Sequence, residues 1–162
     1  MGIDCVNISN MKIEDIEDIL IVENLCFTVP WSKESFTQEL LNRELTRYVC
    51  ARVENRAIAY AGMWKICDEG HITNVAVHPE YQKKGIGGKL ICHLINIAQK
   101  EKIKKMTLEV RKSNTAAQKL YLKYGFEIKG VRKQYYSDNK EDAIIMWKNL
   151  YENKSLKSDK LL

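Results

Sequence analysis

Apolar positions along this chain follow two spacings, and the changes from one to the other mark out the elements. Residues 3–9 read as a short strand. From Lys12 to Cys26 the spacing becomes helical, with Ile13, Ile16, Ile19, Leu20, Glu23 and Phe27 in register and Asp15, Glu17 and Asp18 in the early turns, where the helix dipole favours acids. Pro30 ends that run. Ser32, with Ser35 three residues on, starts a second helix through about Leu41. Residues 46–53, 57–67 and 70–78 read as three strands, with Glu54-Asn55-Arg56 as a turn. The third changes parity: Ile72 is apolar at an even position, Val75 and Val77 at odd ones. A one-residue bulge produces that shift, so free N–H groups are predicted near Val75 to Val77.

The strongest helix runs over residues 85–101, where Ile86, Leu90, Leu94 and Ala98 repeat at four with Ile91 and Ile95 beside them. Residues 104–111 alternate: Met106, Leu108 and Val110 take one face, and Thr107, Glu109 and Arg111 the other. This strand follows a helix, so it should pair parallel through a crossover. Ser113-Asn114 caps a helix over 115–124, and Gly125 stops it. Strands over 126–136 and 142–149 flank the turn Ser137–Lys140. Residues 1–150 thus read as one α/β domain, a mixed central sheet flanked by helices. Residues 151–162 read as a flexible C-terminal tail.

Composition narrows the functional classes without choosing one. The 162 residues suit a single domain. A net charge of +5 suits an anionic ligand, and no zinc-finger or aromatic RNA-binding motif accompanies it, so no direct nucleic-acid role is expected. The five cysteines are odd in number, form no C-x-x-C and sit among apolar residues. They read as small buried side chains in a reducing cytosol. The three histidines show no ligand spacing, so no metal is expected. The absence of a signal core or membrane-length apolar run predicts a cytoplasmic protein without membrane contact.

The segment Gln82–Lys89 carries the chemistry. A basic glycine loop between strand and helix offers backbone N–H groups and a helix N-terminus to phosphate. A P-loop would need glycine where Lys83 stands and Ser or Thr where Leu90 stands. A dinucleotide fingerprint would also need glycine at that leucine. What remains is Gln-x-x-Gly-x-Gly. The bland reading is a glycine helix start with surface lysines. The pattern resembles the coenzyme A pyrophosphate loop of the GNAT acyltransferases.

Other segments extend that resemblance over roughly residues 3–149. Leu108-Glu109-Val110-Arg111, Ser113-Asn114, Leu120-Tyr121, Tyr124-Gly125-Phe126, Arg132-x-x-Tyr135-Tyr136, Glu141–Met146 and Phe27-x-x-Pro30-Trp31 are similar to the RimI-type N-terminal acetyltransferases. The resemblance implies a GNAT fold, acetyl-CoA as co-substrate, and transfer of acetyl to the N-terminal alanine of a small-subunit ribosomal protein. It implies that backbone at Val75, Ala76 and Val77 holds the acetyl and pantetheine part. By the same resemblance Lys83, Lys84, Gly85, Ile86, Gly87 and Gly88 cradle the pyrophosphate, and Asn114 bonds the pantetheine arm. Glu109 would be the base and Tyr121 the acid. The family loop commonly has arginine where this chain has Lys83 and Lys84, which keeps charge but loses bidentate grip. Gly88 offers only backbone.

Each role has a structural counterpart. Glu109 could be a solvated strand-end carboxylate paired with Arg111, and Tyr121 a core ring against Leu120 and Phe126. Phe27, Trp31, Tyr135 and Tyr136 could frame a slot for an extended peptide end, or simply pack. Direct transfer needs no cysteine. Three other readings stand beside this one: a GNAT acting on lysine or a small amine, a CoA-binding module without turnover, and a basic ribosome-associated protein.

Overall fold

The computed structural model describes residues 5–151. The start of the strand expected over 3–9, and all of the predicted tail after Tyr151, lie outside them. Seven strands form one mixed sheet: β1 (Asn7–Asn10), β2 (Thr46–Val53), β3 (Arg56–Ile66), β4 (Glu69–Val77), β5 (Lys105–Arg111), β6 (Glu127–Arg132) and β7 (Ala143–Asn149). Their order is β1-β2-β3-β4-β5-β7-β6. The β4–β5 pair is parallel, as the intervening helix requires, and the other pairs are antiparallel.

Four α-helices cover the sheet: α1 (Ile16–Cys26), α2 (Lys33–Leu41), α3 (Ile86–Lys100) and α4 (Thr115–Lys123). The helix predicted over 12–26 begins instead with a 3-10 turn, Ile13–Asp15, where the Asp15 carboxylate accepts the Lys12 N–H at 2.7 Å and pairs with Arg52. On one face, Ile86, Leu90, Ile91, Leu94 and Ala98 of α3 pack on Val49, Ala61, Met63 and Met106. On the other, Ile16, Ile19 and Val22 of α1 and Phe36 of α2 pack on Tyr48, Cys50, Tyr60 and Ala76. The caps are local. Ser32 Oγ accepts the Ser35 N–H at 3.2 Å. At the end of α4, Gly125 takes φ +86° and Phe126 N–H reaches Tyr121 O at 3.0 Å, the left-handed stop that glycine permits.

The parity change on β4 is a bulge. Gly62 faces Asn74 while Met63 faces Ile72, so Thr73 is the extra residue. Ile72 therefore shares the α3-side core with Val75 and Val77, while Ala76 belongs to the opposite one.

Two expectations need correction. The cysteines are not uniformly buried: Cys50 is buried and Cys26 half-buried, but Cys5, Cys67 and Cys92 are exposed. Cys92 lies on the outer face of α3, and Cys67 takes φ +54° in the β3–β4 turn. Apolar neighbours in sequence lie on other faces in space. The strand predicted over 126–136 stops at Arg132. Gln134 takes φ +51° and gives its N–H to Asp142 Oδ1 at 2.9 Å, so Tyr135 and Tyr136 stand in a loop.

Candidate active site

β4 and β5 pair only over Glu69–His71 and Lys105–Thr107. Beyond that the two strands part. The gap between the second half of β4 and Leu108–Arg111 is a cleft of about 670 Å³, walled by both strands, the α1–α2 loop, α4 and the β6–β7 loop. Antiparallel pairing alternates, and His78 N–H donates to Ile58 O at 2.8 Å. That phase points the peptide groups of Ala76 toward β3 and those of Val75 and Val77 away from it. Val77 O confirms the direction, accepting from Gln82 Nε2 at 3.0 Å and Cys26 Sγ at 3.3 Å. Of the three residues expected to hold the acyl and pantetheine part, Val75 and Val77 thus offer N–H groups on the open side, while Ala76 is core.

Past the end of β4, α3 begins. Gly85 takes φ +79° as its N-cap, with no side-chain cap bond, and Lys89 N–H makes the first helical bond, to Gly85 O at 3.1 Å. The N–H groups of Ile86, Gly87 and Gly88 therefore have no partner within the helix. The Ile86 side chain is buried, so it can give only its N–H to a ligand. A Cβ on Gly88 would strike the Tyr124 hydroxyl, and one on Gly87 would lie 3.3 Å from Leu120 Cδ2. These glycines are small because α4 crosses over them. Lys83 and Lys84 are exposed beside the loop. The loop is a cradle of bare N–H groups at a positive helix end with two exposed lysines, Lys84 lying 5.4 Å over the Tyr81 ring, which fits a pyrophosphate. Asn114 caps α4, its Oδ1 accepting the Ala117 N–H at 3.1 Å, which leaves its amide nitrogen free to donate to a ligand.

Glu109 and Tyr121 both line the cleft. Glu109 does not pair with Arg111. Its Oε2 lies 2.9 Å from His71 Nε2 and its Oε1 3.6 Å from the Arg132 guanidinium. The His71 hydrogen bond, against the opposing effect of burial and with help from Arg132, holds its carboxyl below the usual carboxylate range. Arg111 is held elsewhere, by Asp138 at 2.8 Å and Glu141 at 3.2 Å, and lies 3.9 Å above the Tyr136 ring. Tyr121 packs edge-on to Phe126, with centroids 5.9 Å apart. Burial pushes its hydroxyl well above the ordinary tyrosine value, so it stays protonated.

Phe27, Trp31 and Tyr136 reach the cleft wall. Tyr135 does not line it. Its ring is 46% exposed, 5.1 Å from that of Tyr136 and 5.7 Å from the Arg132 guanidinium. Thr28 Oγ1 donates to Asp138 Oδ2 at 3.1 Å, tying the α1–α2 loop to the β6–β7 loop across the cleft. Sequence reading missed His71, Arg111, Asn74 and Tyr60 as parts of this site. It placed Glu23 on the apolar stripe of α1 without a role, and a carboxylate in a buried register was itself a signal. Glu23 is 1% exposed and takes a hydrogen bond from the Tyr60 hydroxyl. Burial pushes its carboxyl up.

Comparison with known proteins agrees with this architecture. Residues 16–126 match the acetyltransferase (GNAT) family. A Bacillus subtilis (strain 168) protein, provisionally named a ribosomal protein bS18-alanine N-acetyltransferase, is 39% identical over 145 residues, 90% of this chain and 96% of its own. The crystal structure of the Escherichia coli ribosomal-protein-S18-alanine N-acetyltransferase superposes with a TM-score of 0.83 at 32% identity, over 94% of this chain and 99% of that one. The PaiA N-acetyltransferase of Thermoplasma acidophilum, solved with coenzyme A, shares the fold with a TM-score of 0.77 at 21% identity, over 90% of this chain and 99% of that one. The chain belongs to the GNAT acetyltransferase family, and within that family it is of the RimI type.

Proposed function

We propose that this chain transfers acetyl from acetyl-CoA to the N-terminal α-amine of a protein in the cytoplasm, with the alanine of ribosomal protein bS18, for which its relatives are named, as the acceptor. The observation that carries the reading is the parted β4–β5 pair, which leaves Glu109, Tyr121 and Val75 on one cleft, with Val77 at the end of the same strand packed near Gly87 of the glycine loop.

Acetyl-CoA supplies the activated acyl group as a thioester. The N–H groups from Ile86 to Gly88, with Lys83 and Lys84, hold its pyrophosphate, and the Asn114 amide donates to its pantetheine arm. The Val75 or Val77 N–H donates to the thioester oxygen as negative charge grows there. Glu109, aligned by His71, receives the proton released as nitrogen bonds to the acyl carbon, directly or through water. Tyr121 delivers its proton to sulfur as the carbon–sulfur bond breaks. Phe27, Trp31 and Tyr136 flank the peptide end.

Purified protein would be incubated with acetyl-CoA and peptides beginning with alanine, serine or methionine, an N-blocked lysine peptide, and spermidine. Acetyl located by mass on the alanine α-amine is the expected result. Acetyl only on lysine or polyamine would keep the fold and discard the acceptor, and acetyl-CoA binding without transfer would reject catalysis on these acceptors.

A further inference from the structure

The buried carboxylate of α1 joins three elements. Glu23 Oε1 accepts the Trp31 N–H at 3.0 Å, and its Oε2 accepts the Tyr60 hydroxyl proton. The Tyr60 oxygen in turn accepts from Asn74 Nδ2 at 3.1 Å. Polarity along this chain is fixed from its buried end. Both Glu23 oxygens accept, one from the Trp31 N–H and one from the Tyr60 hydroxyl, and a tyrosine has one proton to give. With that proton committed to Glu23, the Tyr60 oxygen can only accept. Asn74 must therefore turn its NH₂ toward Tyr60 and its carbonyl oxygen away. Asn74 stands beside the bulge residue Thr73 on the cleft wall, across from Glu109.

We propose that Asn74 Oδ1 is a hydrogen-bond acceptor for the amine of the acceptor substrate, with Glu23 and Tyr60 as positioning residues that fix its polarity. An ammonium has only donors, and the free amine must keep its lone pair for attack, so either form is held through its N–H bonds by an oxygen on the wall, whereas a reversed amide would present N–H to those N–H groups or occupy the lone pair. This inference rests on the amine-acceptor reading above.

Reversing the polarity at its buried end tests it. In Glu23→Gln the new amide must offer its oxygen to the Trp31 N–H, so its NH₂ donates to Tyr60. The Tyr60 proton then turns to Asn74, whose amide flips and shows NH₂ to the cleft. Steady-state kinetics at about pH 8, near the titration of an α-amine, should show the peptide KM raised roughly tenfold to a hundredfold, with the acetyl-CoA KM unchanged. Adding Asn74→Asp should restore the peptide KM, because a carboxylate accepts from Tyr60 with one oxygen and from the amine with the other. Asn74→Leu, which leaves both Glu23 hydrogen bonds in place, should weaken peptide binding by the same factor and carries the test if Glu23→Gln does not fold. A wild-type peptide KM in Asn74→Leu, or a double variant no better than Glu23→Gln alone, would overturn the proposal while leaving the acetyltransferase reading intact. Wild-type protein that acetylates no amine would overturn both.

Discussion

Replacing Glu109 by Gln keeps the shape of the side chain and removes its basicity. An α-amine titrates near pH 8, and Glu109 sits below its ordinary value of about 4.3, held there first by His71 and then by Arg132. The mismatch is at least about 3.5 pK units, roughly 5 kcal/mol at 1.36 kcal/mol per unit. Glu109 therefore cannot strip the resting ammonium. As the proposed base it would take the proton as the nitrogen–carbon bond forms and the nitrogen loses its basicity. General-base contributions run from about 10² to 10⁴, and a base so far below its substrate belongs at the lower end, so kcat should fall about a hundredfold. Because its folded pKa is depressed, Glu109 stays ionised above about pH 4.3. The rise of wild-type kcat/KM with pH should follow the peptide amine and persist, at lower height, in Glu109→Gln. The assay is release of free thiol across pH with two peptides of different amine pKa, with acetyl-CoA binding measured in parallel. A variant within about threefold of wild type at every pH, or a pH limb that moves with the substitution and not with the peptide, would refute the reasoning.

Tyr121→Phe keeps the edge contact with Phe126 but removes the proposed proton donor, so kcat should drop by about 10² or more with little change in peptide KM; wild-type turnover would reject the acid role. Gly88→Ala drives a methyl into the Tyr124 hydroxyl, which should cost about 1–3 kcal/mol of stability and weaken acetyl-CoA binding, both readable from thermal melts with and without the ligand. Burial tends to raise Asp15, but the Arg52 guanidinium and the Lys12 N–H outweigh it and hold the carboxyl below its usual range. Its stabilising contribution is therefore present above the unfolded pKa of about 3.9 and lost as pH falls through the lower folded value. Asp15→Ala should cost about 3 kcal/mol near neutral pH, with the deficit shrinking in strong acid, and urea melts at two pH values would show it. Alkylating reagents should label Cys5, Cys67 and Cys92 readily and Cys26 slowly, since burial and then Glu23 raise its thiol. Turnover should survive the first three labels, and a trapped acetyl-cysteine found by mass spectrometry would overturn direct transfer.

Where interactions span only a few residues, the sequence alone determined the outcome. Ser32 and Asn114 cap helices through N–H groups three residues ahead. Gly85 and Gly125 stand where left-handed backbone is needed. The parity change on β4 announced its bulge, because side chains alternate strictly along a strand. The element order, the mixed sheet and the glycine loop followed from these local rules.

Only the tertiary structure decided which distant groups meet. Glu109 lies two residues from Arg111, on the same strand face, yet it bonds to His71, 38 residues away, because β4 and β5 are neighbours in the sheet. Arg111 is drawn off by the β6–β7 loop, whose backbone also turns Tyr135 outward and Tyr136 in. Glu23 reads as one more helical position until β3 brings Tyr60 beneath it, 37 residues on. Periodicity shows which face a residue occupies. Its partner depends on how the sheet is ordered and where two strands part, and those follow from packing both helix layers at once.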